Sequence, residues 1–142
     1  MSDTAGLILL AGRIVFAFFF AMAGYRHVVG GAQMTDYARG VRFPLPALAP
    51  WPVGIWLMAA AVSVGAGIWG EIGALMLIAF LLPAAVWFHA FWKAPEDQVQ
   101  MQTQLFFRNI TFIGACIILF AVFAGAGDGL RYTVTQALID LT

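Results

Sequence analysis

Hydrophobic positions fall into four long runs, over approximately residues 6–29, 52–69, 72–92 and 105–125. As helices, runs of this length match a bilayer hydrocarbon core of about 30 Å. Polar positions collect between them, most densely from Lys93 to Gln104. The pattern predicts an all-α membrane protein. Its architecture is a four-transmembrane-helix antiparallel bundle with a short interfacial helix after the first span and a C-terminal amphipathic helix. The bundle is assigned to residues 1–127 and the amphipathic helix to residues 128–142.

Local signals refine each element. Gly30-Gly31 should break the first helix. Over residues 32–42, Met34, Tyr37, Ala38 and Val41 then share one face of a helix suited to the headgroup layer. The prolines of Phe43-Pro44-Leu45-Pro46 and Pro50-Trp51-Pro52 make the next segment stiff and extended, and Pro52 suits a helix start. Small residues at four-residue spacing, Ala17 with Ala21 and then Ala59, Ser63 and Gly67, predict close helix packing in lipid. Gly70-Glu71 reverses the chain in so little length that the second and third spans must be antiparallel neighbours. Pro83 should kink the third span. Pro95, Glu96 and Asp97 read as the first turn of the fourth helix. Asp97, Gln100, Gln104, Arg108 and Thr111 then form a polar stripe on that helix. Asp128 would cap the last helix, with Leu130, Val134, Ala137, Leu138 and Leu141 on its apolar face.

Composition agrees with a membrane setting: 63% of residues are hydrophobic and 10% charged. A formal net charge of zero gives no attraction for nucleic acid, so the expected partners are membrane lipids and other membrane-protein subunits. The single cysteine, Cys116, excludes an internal disulfide and reads as a packing residue. Ala21-Met22-Ala23 resembles a signal cleavage site, but no basic residue precedes the apolar core, so the first segment is read as a retained span. Arg26, Arg39, Arg42, Lys93 and Arg108 fall at one end of the bundle. Their bias predicts that both termini lie outside the cytoplasm.

Ionisable groups inside apolar runs need partners and mark candidate sites. Arg13 lies near the outer end of the first span and Glu71 in the tight turn at the same end, so the two are expected to form an ion pair. At the other end, antiparallel spans gather Tyr25, Arg26, His27, His89, Lys93, Arg108 and Asn109. A cationic, amide-lined pocket of this kind suits a quinone head group or a lipid phosphate. The bland alternative is a set of headgroup-facing anchors. The candidate ligand-binding residues are therefore His89, Arg108, Asn109, Arg26, His27 and Tyr25, in a cleft between the first, third and fourth spans. No covalently bound cofactor and no metal is expected. Ligand count excludes a closed zinc site, and beyond two histidines nothing supports haem. No nucleophilic triad, phosphate loop or paired carboxylate is present, so the residues name no catalytic group.

With these features laid out, the chain resembles the DoxX family of small four-span bacterial membrane proteins. The resemblance rests on Gly12-Arg13, Ala23-Gly24-Tyr25-Arg26, Phe43-Pro44-Leu45-Pro46, Phe88-His89-Ala90-Phe91 and Phe106-Phe107-Arg108-Asn109-Ile110 with Gly114, in that order. It covers roughly residues 7–125, with arginine at 26 and 108 where the family usually has lysine. The resemblance implies a multi-pass protein of the bacterial inner membrane that serves as an accessory subunit of a membrane-bound, quinone-linked redox complex. A second implied role is the membrane subunit of a quinone-reducing oxidoreductase of the thiosulfate:quinone type, acting with a soluble partner. A small transporter or channel is disfavoured, because four spans without an inverted repeat leave little to move.

Overall fold

A computed structural model of the chain describes residues 1–126, 129–139 and 141. Helix α1 runs Asp3–Gly40, α2 Trp51–Ala66, α3 Gly70–Pro83 and α4 Val99–Gly125. No strand occurs among the described residues. By length and composition, α1, α3 with its continuation to Lys93, and α4 are able to cross a membrane, and α2 is a shorter apolar helix. Neighbouring helices pack in chain order, α1 on α2, α2 on α3 and α3 on α4.

Ser2 starts α1 by accepting a hydrogen bond from the Ala5 amide. Gly31, at φ 45° and ψ −122°, breaks it as the glycine pair predicts, and the helix resumes over residues 32–40. Pro83 disrupts α3 more deeply than a kink. Having no N–H, it interrupts the ladder, and a π-helical turn, Ala84–Phe88, and a 3-10 turn, Phe91–Lys93, follow. The Pro95 carbonyl accepts from the Gln98 and Val99 amides, so α4 begins a turn later than its acidic residues suggest.

Glycines bring α1 and α2 together. A Cβ on Gly24 or Gly54 would lie 2.7 Å from the other's carbonyl oxygen, and one on Gly65 would lie 3.2 Å from Ala17. Ala17 thus packs as expected, but Ala59 is exposed. Ser63 turns instead toward α3, where its Oγ lies 2.7 Å and 2.9 Å from the Ile68 and Trp69 carbonyl oxygens. Phe20, Leu57, Val64, Leu77, Leu81 and Cys116 are fully buried. The Phe112 ring of α4 closes the bundle against Phe16, Phe19 and Phe20 of α1.

The C-terminal segment departs from expectation. Residues 129–139 form no α-helix, and Asp128, the expected cap, lies outside the described residues. The segment crosses the bundle end as a strap. Val134 and Thr135 donate backbone N–H bonds to the Gly67 carbonyl, and Thr135 Oγ1 accepts from the Trp69 amide at 2.7 Å. Tyr132-Thr133-Val134-Thr135 is rich in β-branched and aromatic side chains, which disfavour helix, and the carbonyls ending α2 supply backbone partners that a helix would forgo.

Beneath the strap lie Arg13, 1% exposed, and Glu71, 0% exposed. They do not form the expected ion pair; among the described residues the ion pairs are Arg39–Asp36 and Arg131–Asp3. Arg13 Nε donates to the Val64 carbonyl at 3.0 Å, and Nη2 to the carbonyls of Gly65 at 2.8 Å and Tyr132 at 3.0 Å. Its guanidinium carbon stands 5.3 Å from the centroid of the Phe123 ring. That ring also fills the space beside Gly70, where a Cβ would approach it to 2.2 Å. Phe123 and Glu71 both line a polar cavity of about 70 Å³, and Glu71 Oε1 accepts from the Leu138 amide at 2.6 Å. The hydrogen bonds of these two side chains thus go to helix-end carbonyls and strap backbone instead of to each other, and Arg13 Nη1 and Glu71 Oε2 are buried without a hydrogen-bond partner.

Two stability outcomes follow. Arg13→Lys loses the planar fork that reaches three carbonyls and should destabilise the protein by about 1–3 kcal/mol, read as a lower unfolding midpoint in mild detergent. Gly70→Ala should lower the midpoint by overpacking against Phe123, whereas Gly114→Ala, whose added methyl meets nothing within 4 Å, should not. Equal midpoints for the two alanine variants would contradict this packing.

Candidate functional site

The end of the bundle opposite the strap contains a half-open cavity of about 540 Å³, within the usual range for small-molecule sites. It is walled by the end of α1, the segment entering α2, and the disrupted end of α3. Stiff proline geometry shapes the second wall. A 3-10 turn over Pro46–Leu48 leads to Ala49, which is 5% exposed, and Pro52 lies in the first turn of α2. Trp56 Nε1 donates to the Met76 carbonyl at 2.9 Å and ties α2 to α3 along the cavity wall.

His27 and His89 both line this cavity. His27 Nδ1 is hydrogen-bonded to the Ala49 carbonyl, which can only accept, so the ring carries its proton on Nδ1 and leaves Nε2 as an acceptor when neutral. The edge of the Phe80 ring packs on its face, with centroids 5.8 Å apart. His89 follows the π-helical turn after Pro83, and its Nδ1 lies 3.1 Å from Gln102 Oε1 on α4. With Phe43, Trp56, Phe80 and Phe88 among the lining residues and no Asp, Glu, Lys or Arg among them, the site is apolar and neutral. Its polar groups are the two imidazoles and the Tyr37 hydroxyl, which donates to the Phe88 carbonyl at 3.3 Å.

Of the residues expected to gather here, the structure brings together His27 and His89. Tyr25 and Arg26 are exposed and do not line the cavity. Arg108 is exposed, with its guanidinium carbon 5.9 Å from the Phe19 ring centroid. Asn109 is buried in the bundle away from the cavity lining. The polar stripe of α4 points outward: Gln100, Gln104, Arg108 and Thr111 are exposed, because Asn109, Cys116 and Phe123 occupy the buried face. The cavity accordingly lies between α1, α2 and α3, and α4 contributes through Gln102. Lys93 lines a separate outer cleft.

Sequence reasoning missed Gln102, Tyr37 as a wall residue, and the Ala49 carbonyl. Gln102 stood one helical turn before Phe106 in a run of glutamines and was indistinguishable from Gln100 and Gln104 without the helix phase. Chemically, the arrangement offers hydrogen bonds to a flat, uncharged, largely apolar molecule. No group of three or more His, Cys, Asp or Glu able to hold a metal occurs among the described residues.

Comparison with known proteins places these features in a family. No solved structure matches the chain. It is 26% identical over 120 residues to "Inner membrane protein YphA" of Escherichia coli (strain K12), an alignment that covers 84% of this chain and 86% of that protein. The DoxX family pattern matches residues 8–90, a stretch that contains Arg13, His27, Glu71 and His89. The chain therefore belongs to the DoxX family of membrane proteins.

Proposed function

We propose that this protein is an inner-membrane accessory subunit of a quinone-linked redox complex, with the His27–His89 cavity holding the quinone head group. The observation that carries this reading is the presence of two imidazoles, each fixed through Nδ1, on one half-open apolar cavity. A quinone head group is flat, its reduced quinol form has O–H groups that can donate to the two free Nε2 acceptors, and its apolar tail belongs in lipid. The residues present fit that group: Phe43, Trp56 and Phe80 supply apolar walls, and His27 and His89 supply the polar contacts. A bound quinone supplies two-electron redox chemistry. The chain's own residues bind and orient the head group, and the imidazoles hold or release protons at Nε2. In this reading the electrons come from a partner subunit.

The chain crosses the membrane four times in this reading. Helix α1 carries the chain from the strap end to the cavity end, and α3 starts at the strap end again, so α2 must return across the bilayer. Its 16 residues span about 24 Å, which a locally thinned bilayer accommodates. Arg26, Arg39, Arg42 and Lys93 lie toward the cavity end, a bias that supports a cytoplasmic cavity end with both termini on the opposite side.

Two experiments test these readings. Protein purified in mild detergent should retain quinone on solvent extraction, and His27→Ala with His89→Ala should lower its content about tenfold while the helical circular dichroism is unchanged. Equal quinone in both proteins, phospholipid as the sole extract, or a haem absorption band in the purified protein would each reject the quinone site. For orientation, Val134→Cys should react with a membrane-impermeant maleimide in intact cells, over a background kept silent by buried Cys116. Reaction only after permeabilisation would invert the topology.

A further inference from the structure

Beside the inner cavity, and separated from it by Tyr37, Phe43, Trp87 and Phe88, lies an outer cleft of about 800 Å³. It is built from the end of α1, the turns after α3 and the first residues of α4. Its charged lining residues are Arg42 and Lys93. Glu96 and Asp97 follow Lys93 closely in sequence, yet neither lines the cleft, and the ion pairs among the described residues involve neither cation. Trp87 and Trp92 line the same cleft at 41% and 51% exposure, so a cationic patch and bare aromatic surface meet in one depression.

Arg42 is held there at a conformational cost. Its φ of 56° is left-handed, a conformation that a residue with a Cβ disfavours. Hydrogen bonds from the Arg42 amide to the Arg39 carbonyl and from the Phe43 amide to the Ala38 carbonyl impose that turn. Gln102 adds a donor, because its Oε1 is taken by His89 and its Nε2 hydrogens remain for the cleft.

We propose that this cleft binds the headgroup of an anionic phospholipid, with the phosphate between Arg42 and Lys93 and an acyl chain along Val86, Trp87 and Trp92. Charge complementarity selects an anion, since the lining includes two cations and no carboxylate. The exposed indoles select an amphiphile over a free ion, because small anions gain nothing from apolar surface. A basic pocket between helices at the cytoplasmic face of a membrane protein is a recurrent setting for such headgroups. This site does not depend on what fills the inner cavity.

The test is native mass spectrometry of the full chain in detergent, titrated with phosphatidylglycerol or with phosphatidylcholine of the same acyl chains. Two cations acting on one anionic headgroup set the expected preference for phosphatidylglycerol at roughly 30-fold. Arg42→Gln with Lys93→Gln should bring the two lipids close to parity, and Arg42→Lys with Lys93→Arg should keep the preference. Equal binding of the lipids by the unchanged protein, or an undiminished preference in the glutamine variant, overturns the proposal. Inorganic phosphate or an acidic peptide competing as well as phosphatidylglycerol overturns the lipid assignment. Quinone content of the glutamine variant should match the unchanged protein, so failure of either site is read separately.

Discussion

An arginine two or three turns into an apolar helix has to be satisfied by something, and that need shapes one whole end of this protein. Arg13 draws on the carbonyls that close α2, on the Phe123 face of α4 and on the backbone of the C-terminal strap. Leaving such a cation unpaired costs several kcal/mol in a low-dielectric interior. Three parts of the chain therefore converge on one side chain of α1. Glu71, which lines a small cavity with Phe123, recruits the strap a second time by accepting from the Leu138 amide. The strap is consequently part of the bundle's electrostatics.

The opposite end is organised by broken helices. Gly31, the proline-rich entry to α2 and Pro83 each interrupt a regular element, and the cavity lies where the three interruptions meet. A continuous α3 would have carried its side chains past this point on a regular spiral. The π-helical turn re-registers it and places His89 against Gln102. Helix breaks at membrane depth are tolerated where they line a cavity, because the freed backbone groups find other partners.

Much of this was legible in residue order. Apolar run length announced the helices, Gly30-Gly31 announced the break at Gly31, and Gly70-Glu71 announced the tight reversal. Two histidines among the candidate residues do line one cavity. Helix phase was not legible. In α4, residues 108 and 109 differ by about 100° around the axis, so one faces outward and the other inward, and no charge count reveals which. Nor could apolar spacing distinguish a helix from a strap over residues 130–139. Leu130, Val134 and Leu138 fit either, and the deciding partners, the carbonyls of Ala66 and Gly67, lie far away in sequence.

That distance has a consequence for biosynthesis. Arg13 emerges with the first helix, whereas its Tyr132 partner is 119 positions later in the chain, and the contacts of Arg131 with Met1 and Asp3 span 130 and 128 positions. Contacts this remote close late, because the intervening chain must be laid down and its loop entropy overcome first. The first helix must therefore wait in the membrane with a partly served guanidinium until the strap arrives. During that interval the nascent bundle is open at the end that the strap later closes.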